Sequence, residues 1–468
     1  MAETGNEEQN SFLFALGLRK TGKNILHTLS RQFISIILQF ITVSIIARTL
    51  GPEGNGQYVI AVLIPAMLVQ FLDLGLAPSN VFYISRKMVS PLSVLRYSFK
   101  VWIIVTLAGA GIGILVVNYI SELLFPGFKA DYLIVSGFLF PVILMKNFLV
   151  SILQGVQDFK RFNIAEIFRP LSVFSFILVL FLTGKLTVTS ALGVVVIGHL
   201  ISLLFLFCLV IPKLSYGKDS APAADLQGKG LLKYGFKVHV GNLLSFANNK
   251  VALVVVNFFL NPAAAGLYAV SIQISEKIWI ISHAVSAVIL PRLSELGYDE
   301  SVRRNLTPLI GRWVLLVTFV AALFVAVTIS FLIPVVFGDS YIPSIIPLLL
   351  LLPGIIISAF SRIFSNDIAS RGIPQYNTYT ALLVLITNFV LSVVLIPTYG
   401  INGAAISATL AYSADLFMRL VIYTRVSKNS WIQLFSVGQT DRAILQLIVR
   451  KLSLGVLWKK CNPGIDIV

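Results

Sequence analysis

The chain has 468 residues, of which 57% are hydrophobic and only 12% charged, with a mean hydropathy of +0.89. Average soluble domains carry about 25% charged residues, so a soluble enzyme of this size is excluded. The 36 Lys and Arg against 20 Asp and Glu give a net charge of +16. In so apolar a chain that excess belongs in loops facing anionic lipid on the cytoplasmic side, not on a nucleic acid.

Taken in order, the chain opens on MAETGNEEQN, a polar, acidic segment without the basic-then-apolar pattern of a signal peptide. Stretches of about 20 residues, long enough to cross a bilayer as helices, follow near 25–47, 58–79, 98–120, 131–154, 165–183 and 187–211. Six more lie near 238–260, 265–289, 312–333, 343–365, 378–397 and 402–424. This pattern predicts an all-α polytopic membrane protein of twelve transmembrane helices. Pro65, Pro141, Pro170, Pro334, Pro347 and Pro353 sit in or at the edges of these stretches and predict kinks. Cys208 falls in a span and Cys461 in the tail, so neither a disulfide framework nor a CxxC metal site is expected.

Lys and Arg orient the chain. With a cytoplasmic N-terminus, 27 of the 36 fall in cytoplasmic segments, three outside (Arg48, Lys129, Lys185) and six within spans. The positive-inside rule therefore places both termini in the cytoplasm.

Two segments recur. LGPEGNGQY (50–58) returns as LNPAAAGLY (260–268), and QGVQDFKRFN (154–163) is echoed by SRGIPQYN (370–377). Each copy falls at the same place in a six-span half. Six is an even number of crossings, so the halves form a parallel repeat about an axis along the membrane normal. The expected organisation is a cytoplasmic tail over 1–24, a first lobe over 25–211 and an inter-lobe linker over 212–237. A second lobe over 238–424 and a basic cytoplasmic tail over 425–468 complete it. From Thr440 and Asp441 the tail reads as an interfacial helix, apolar at Leu445, Ile448, Val449, Leu452 and Val456 and basic at Arg450, Lys451, Lys459 and Lys460.

Enzyme signatures are missing. TGKN (21–24) lacks the rest of a phosphate-binding loop, and His27, His199, His239 and His283 show no metal spacing. The expected outer loops are short, with Glu53, Glu122, Asp131 and Asp339 as their acids. No catalytic residue, cofactor or metal is expected.

Charges inside spans carry the functional signal, because each costs about 2.5–3.5 kcal/mol or more if it faces lipid. The cations are Arg31, Lys146, Lys250, Lys277, Arg362 and Arg419; the anions are Asp73, Glu276 and Asp415, with Asp367 at a span edge. Asp415 and Arg419, spaced i, i+4, are expected to pair. Arg31 and Arg362 lie near span ends, where they either snorkel or line a cavity mouth. Lys250 and Lys277 fall near mid-span, and Lys277 follows Glu276 with the two side chains ~100° apart around the helix. Lys146 sits deep in the fourth span. An excess of embedded cations fits a cavity that attracts an anionic solute such as a phosphate or diphosphate. A pump for cationic drugs calls for the opposite balance. Asp73, Glu276 and Asp415 are the candidates for carrying a coupling H⁺ or Na⁺.

The segment ARTLGPEGNGQYVIAVLIPAMLVQFLDLGL (47–76) resembles the N-terminal signature of bacterial polysaccharide flippases, within the multidrug/oligosaccharidyl-lipid/polysaccharide (MOP) exporter superfamily. LNPAAAGLYAVSIQISEKIWIISHAVSAVILPRLSEL (260–296) is similar to the region of that family's seventh and eighth spans. The resemblance covers about residues 25–424. It implies two six-helix lobes around a cationic cavity, and the transfer of undecaprenyl-diphosphate-linked oligosaccharide across a bacterial inner membrane by ion-coupled antiport. It implies further partners: membrane lipids, a polysaccharide polymerase and a chain-length regulator. On the family's pattern Arg48, closing the first span, joins Lys250, Lys277, Lys146, Arg31 and Arg362 as a substrate-binding candidate. Many relatives carry an acid in the seventh span where this chain has Ala252 beside Lys250, so no coupling role is carried over from it. The alternatives are a peptidoglycan-precursor flippase, a cation-coupled multidrug exporter of the same superfamily, or, in another class, a membrane-embedded polysaccharide polymerase or ligase.

Overall fold

The computed structural model describes residues 18–115, 119, 127–129, 131–214, 229–295, 300–373, 375–436, 438 and 441–442. Most of the inter-lobe linker, the expected interfacial helix beyond residue 442 and Glu122 lie outside the described residues. The described elements are helical. They are α1 (Leu18–Leu72), α2 (Leu76–Ser85), α3 (Pro91–Leu115), α4 (Asp131–Gly137), α5 (Leu139–Gly155), α6 (Phe159–Leu182) and α7 (Val188–Val210). There follow α8 (Lys229–Phe259), α9 (Pro262–Ser275), α10 (Ile280–Glu295), α11 (Glu300–Phe337), α12 (Ile345–Ser370), α13 (Gln375–Ser427) and α14 (Trp431–Phe435). Among the described residues, eight helical segments are long and apolar enough to cross a membrane.

Two helices are too long to be single spans. At 1.5 Å per residue, the 55 residues of α1 and the 53 of α13 would each far outrun a hydrocarbon core of about 30 Å. Each is broken at a glycine: Gly51 (φ 67°) in α1 and Gly400 (φ 58°) in α13. A positive φ is a conformation that glycine adopts without steric cost, and Pro52, next after Gly51, starts the following helix with its φ already set. The backbone leaves helical angles at these glycines and keeps them at Pro65, Pro170 and Pro353.

Caps mark the other starts. Asp158 accepts a hydrogen bond from the Arg161 N–H at 3.1 Å to open α6, and Thr187 and Ser190 form a capping box on α7. Asn261 accepts from the Ala264 N–H at 2.8 Å, with Pro262 as the first residue of α9.

The chain forms two compact units. The first comprises residues 1–272, 328–348 and 388–407; the second comprises 273–327, 349–387 and 408–468. In the first, Leu76, Ile84, Leu144, Phe148, Leu149 and Ile152 form the centre of a core contributed by α2, α3, α5 and α7. In the second, Phe360, Phe364, Leu420, Tyr423 and Leu434 stack into a smaller aromatic core. Large apolar side chains such as Leu107, Phe324, Val327, Phe331 and Ile386 point outward, as a hydrocarbon solvent favours.

The two copies of the recurring motif meet inside the first unit. A methyl group on Gly56 would lie 1.7 Å from the Pro262 carbonyl oxygen, and one on Gly266 would lie 2.1 Å from the Pro52 carbonyl oxygen. The contact is reciprocal, glycine of one copy against proline of the other. Asn55 Nδ2 donates to the Gly266 carbonyl at 3.3 Å. Beside this crossing, Tyr341 donates its hydroxyl to the Ala47 carbonyl at 3.0 Å.

Candidate functional site

In the first unit, four charged residues from three helices converge. Lys146 Nζ of α5 lies 2.7 Å from Glu166 Oε1 of α6, with side chains 11% and 21% exposed. Arg169, one turn beyond Glu166 on the same face of α6, and Arg31 of α1 are close enough for their charges to act on both partners. Arg31 also stacks its guanidinium over Phe162, 5.5 Å from the ring centre. Its Nε is buried without a hydrogen-bond partner among the described residues. His199 of α7 borders the group, with Nδ1 2.8 Å from the Val195 carbonyl. Three cations surround one acid, so the cluster carries a surplus of two positive charges.

In the second unit, Asp415 and Arg362 mark charged sites of different character. Asp415 accepts from Arg419 Nε at 2.8 Å and from the Ser361 hydroxyl at 2.6 Å, while Arg419 also donates to Asn377. This is the expected i, i+4 pair, saturated by further partners. Arg362, on α12, lies 3.2 Å from His283 Nδ1 and 5.9 Å from the centre of the Trp279 ring, and its Nε is buried without a hydrogen-bond partner among the described residues.

The other sequence candidates are dispersed. Arg48 is exposed and donates to the Val335 carbonyl. Lys250 is half-buried on α8, a helix that supplies none of the four charges of the Lys146 cluster. Glu276 and Lys277 lie in a 3₁₀ turn, Glu276–Trp279, that joins α9 to α10. Asp73 follows the end of α1, with Oδ1 buried and without a hydrogen-bond partner among the described residues. Of the six cationic candidates, Arg31 and Lys146 are thus brought together with a third cation, Arg169, that the topology had assigned to a cytoplasmic segment. Glu166 was missed for a related reason: it stands at the edge of the shortest apolar stretch, where acids attract no notice. Asp367, read as a span edge, has no exposed surface and is enclosed by Arg303, Arg371 and Thr307.

A cavity of about 590 Å³ lies among α1, α3, α4 and α5, lined by residues such as Leu68, Thr106, Gly109, Phe138 and Pro141. It presents no charged side chain, so an anionic headgroup finds no partner there. The Lys146 cluster, set between α1, α5 and α6, is where this unit offers such a partner. Among the described residues no group of His, Cys, Asp and Glu is arranged to hold a metal ion.

Long apolar helices with charge embedded among them define a multi-pass membrane protein. Solved structures similar to it include the lipid II flippase MurJ in an inward closed conformation (TM-score 0.67, 15% identity, 93% of this chain and 98% of that one). An inward-facing multidrug resistance MATE transporter of the MOP superfamily is similar too (TM-score 0.65, 15% identity, 86% and 99%). Residues 21–297 match the family of polysaccharide biosynthesis proteins, and the chain belongs to that family. Relatives include a putative O-antigen transporter of Shigella flexneri, 22% identical over 427 residues, spanning 86% of this chain and 98% of that protein. The capsular polysaccharide biosynthesis protein CapF of Staphylococcus aureus is 22% identical over 424 residues, spanning 86% and 99%.

Proposed function

We propose that the protein moves an undecaprenyl-diphosphate-linked oligosaccharide across a bacterial inner membrane by alternating access, coupled to an H⁺ or Na⁺ gradient. On this reading it is a transporter and not an enzyme. It has twelve spans in two six-helix lobes with both termini cytoplasmic, and it supplies a polysaccharide polymerase and chain-length regulator. The observation that carries the reading is the cluster of Arg31, Lys146 and Arg169 around the single acid Glu166. A surplus of cations in a low-dielectric setting favours an anion by several kcal/mol over a cation of the same size. Family membership and the names of the relatives point to polysaccharide cargo. Arg362, whose Nε lacks a partner among the described residues, and Lys250, Lys277 and Arg48 are further candidate contacts for the sugar-diphosphate. Asp73, with an unpartnered buried oxygen, is the best placed of Asp73, Glu276 and Asp415 to carry the coupling ion.

The test uses purified protein in liposomes with a short-chain polyprenyl-diphosphate oligosaccharide, and a cationic dye as competing cargo. Leaflet transfer that falls at least tenfold in Arg31→Ala and Lys146→Ala supports the reading. Dye export without lipid transfer would point to a drug exporter. Covalent lengthening of the oligosaccharide would point to a polymerase or ligase. Transfer that survives both substitutions but fails in Lys250→Ala with Lys277→Ala would keep the function and move the site.

A further inference from the structure

A site built to attract phosphate is served by Arg31, Lys146 and Arg169 alone, yet one carboxylate sits among them and holds the most buried cation. We propose that Glu166 is an internal stand-in for the substrate's anionic headgroup. It occupies Lys146 while the site is empty and gives way when a diphosphate oxygen arrives. This inference rests on the reading of the protein as a carrier of a lipid-linked diphosphate.

Three observations carry it. First, the charges match: the cluster's surplus of two positive charges equals one ionised oxygen on each phosphorus of a diphosphate diester. Second, the two members of the pair differ in freedom. Lys146 stands mid-way along α5 with its side chain 11% exposed, whereas the Glu166 side chain is 21% exposed. Glu166 has Arg169 one turn along the same face of α6, so a carboxylate displaced from the Lys146 ammonium finds another cation without crossing the site. Third, the Nε of Arg31 is buried with no partner among the described residues, leaving a donor unused while the stand-in is in place. A lone ammonium in the membrane interior is costly, so an empty site needs a counter-charge. A counter-charge tethered to the chain lowers the fraction of sites open to ligand and so raises the apparent Kd by the reciprocal of that fraction. The weaker affinity serves a carrier, which must release its cargo on the far side.

The experiment titrates the full chain in nanodiscs of zwitterionic lipid with inorganic pyrophosphate and, separately, with a short-chain prenyl diphosphate. Glu166→Gln is expected to bind about tenfold tighter than wild type, equivalent to about 1.4 kcal/mol, and to release more slowly. Glu166→Asp, which keeps the charge but draws it back, is expected to fall between them, and it decides the matter if Glu166→Gln does not purify as a single species. Lys146→Gln is expected to bind more weakly. A gain with both ligands assigns the effect to the diphosphate itself; a gain with the prenyl ester alone assigns it to the lipid-linked form. Affinity in Glu166→Gln and Glu166→Asp equal to or weaker than wild type overturns the inference and makes the pair a tether between α5 and α6. Absence of diphosphate binding by wild type and every variant would instead overturn the reading of the protein as an anion carrier, and the stand-in with it.

Discussion

Asp367 is held by Arg303 across the second unit, with Arg303 Nη2 3.5 Å from Asp367 Oδ1, and neither side chain is more than 3% exposed. Arg371 bonds the same carboxylate from one turn along the chain and reaches on to Glu300 at 2.6 Å, while the Thr307 hydroxyl donates to Asp367 Oδ2 at 2.6 Å. Four residues of α11 and the end of α12 are thereby tied through one acid. Neutralising it removes the carboxylate that faces Arg303 and leaves Arg371 with Glu300 alone. Asp367→Asn is expected to destabilise the protein by about 3–5 kcal/mol, seen as a large drop in Tm and in the yield of monodisperse protein. An unchanged Tm would show that water reaches these arginines.

The glycine crossing predicts a steric response. Gly56→Ala places a methyl 1.7 Å from the Pro262 carbonyl oxygen, whereas Gly111→Ala meets nothing within 4 Å. The first substitution is expected to cost about 1–3 kcal/mol through overpacking and the second close to nothing. Thermal unfolding of the two variants, measured side by side, checks this; equal Tm values would mean that the helices separate freely at this point.

Acid sensitivity follows from Asp158, in the turn between α5 and α6. Burial pushes its carboxyl up, but the hydrogen bond from Lys213, at 2.9 Å, the Arg161 N–H and the two nearby positive charges outweigh it and hold the group below the usual carboxylate range. Asp441 behaves alike: burial raises it, and Arg312, at 2.6 Å, with the Gly438 N–H, lowers it further. A folded-state value below the unfolded one, about 3.9 for Asp, contributes stability that is present above pH ~4 and lost as pH falls through the folded value. Wild-type Tm is therefore expected to decline below about pH 4. Asp158→Asn and Asp441→Asn should each start lower at neutral pH and decline less steeply. A variant with the wild-type slope would remove that residue from the account.

Arg312 also fastens the segment that follows the last long helix. Its guanidinium donates to the Gln433 carbonyl at 3.2 Å and the Leu434 carbonyl at 3.4 Å as well as to Asp441. Arg312→Ala is expected to release this stretch, and cleavage by trypsin at Arg442 should quicken several-fold, in keeping with the roughly 1 kcal/mol of a partly exposed pair. Cleavage at the wild-type rate would mean that α14 holds the segment through Leu434 alone.

The sequence makes some of this legible and hides the rest for physical reasons. Apolar stretches announce helices, because a bilayer demands long runs without charge. The Asp415–Arg419 pair is readable because i, i+4 spacing places both on one face of one helix. Lys146 and Glu166 belong to different helices, so no local spacing reveals their contact, and Lys146 reads as a lone charge. Arg303, Arg371 and Asp367 look like solvent-facing charges at span ends, yet they neutralise one another in the interior. Prolines look like the places where long helices break; the breaks fall at Gly51 and Gly400, where a positive φ and not a missing N–H is what the chain requires.

The reciprocal contact of Gly56 with Pro262 and Gly266 with Pro52 couples the two motif copies in both directions. Such mutual matching is the geometry of an isologous interface, in which a patch meets its own likeness. A side chain added to either glycine meets a backbone carbonyl of the opposite copy, so neither copy can change at this place unless the other gives way. Gly51 stands outside the contact, with nothing within 4 Å of an added Cβ, and at the matching place the second copy carries Asn261.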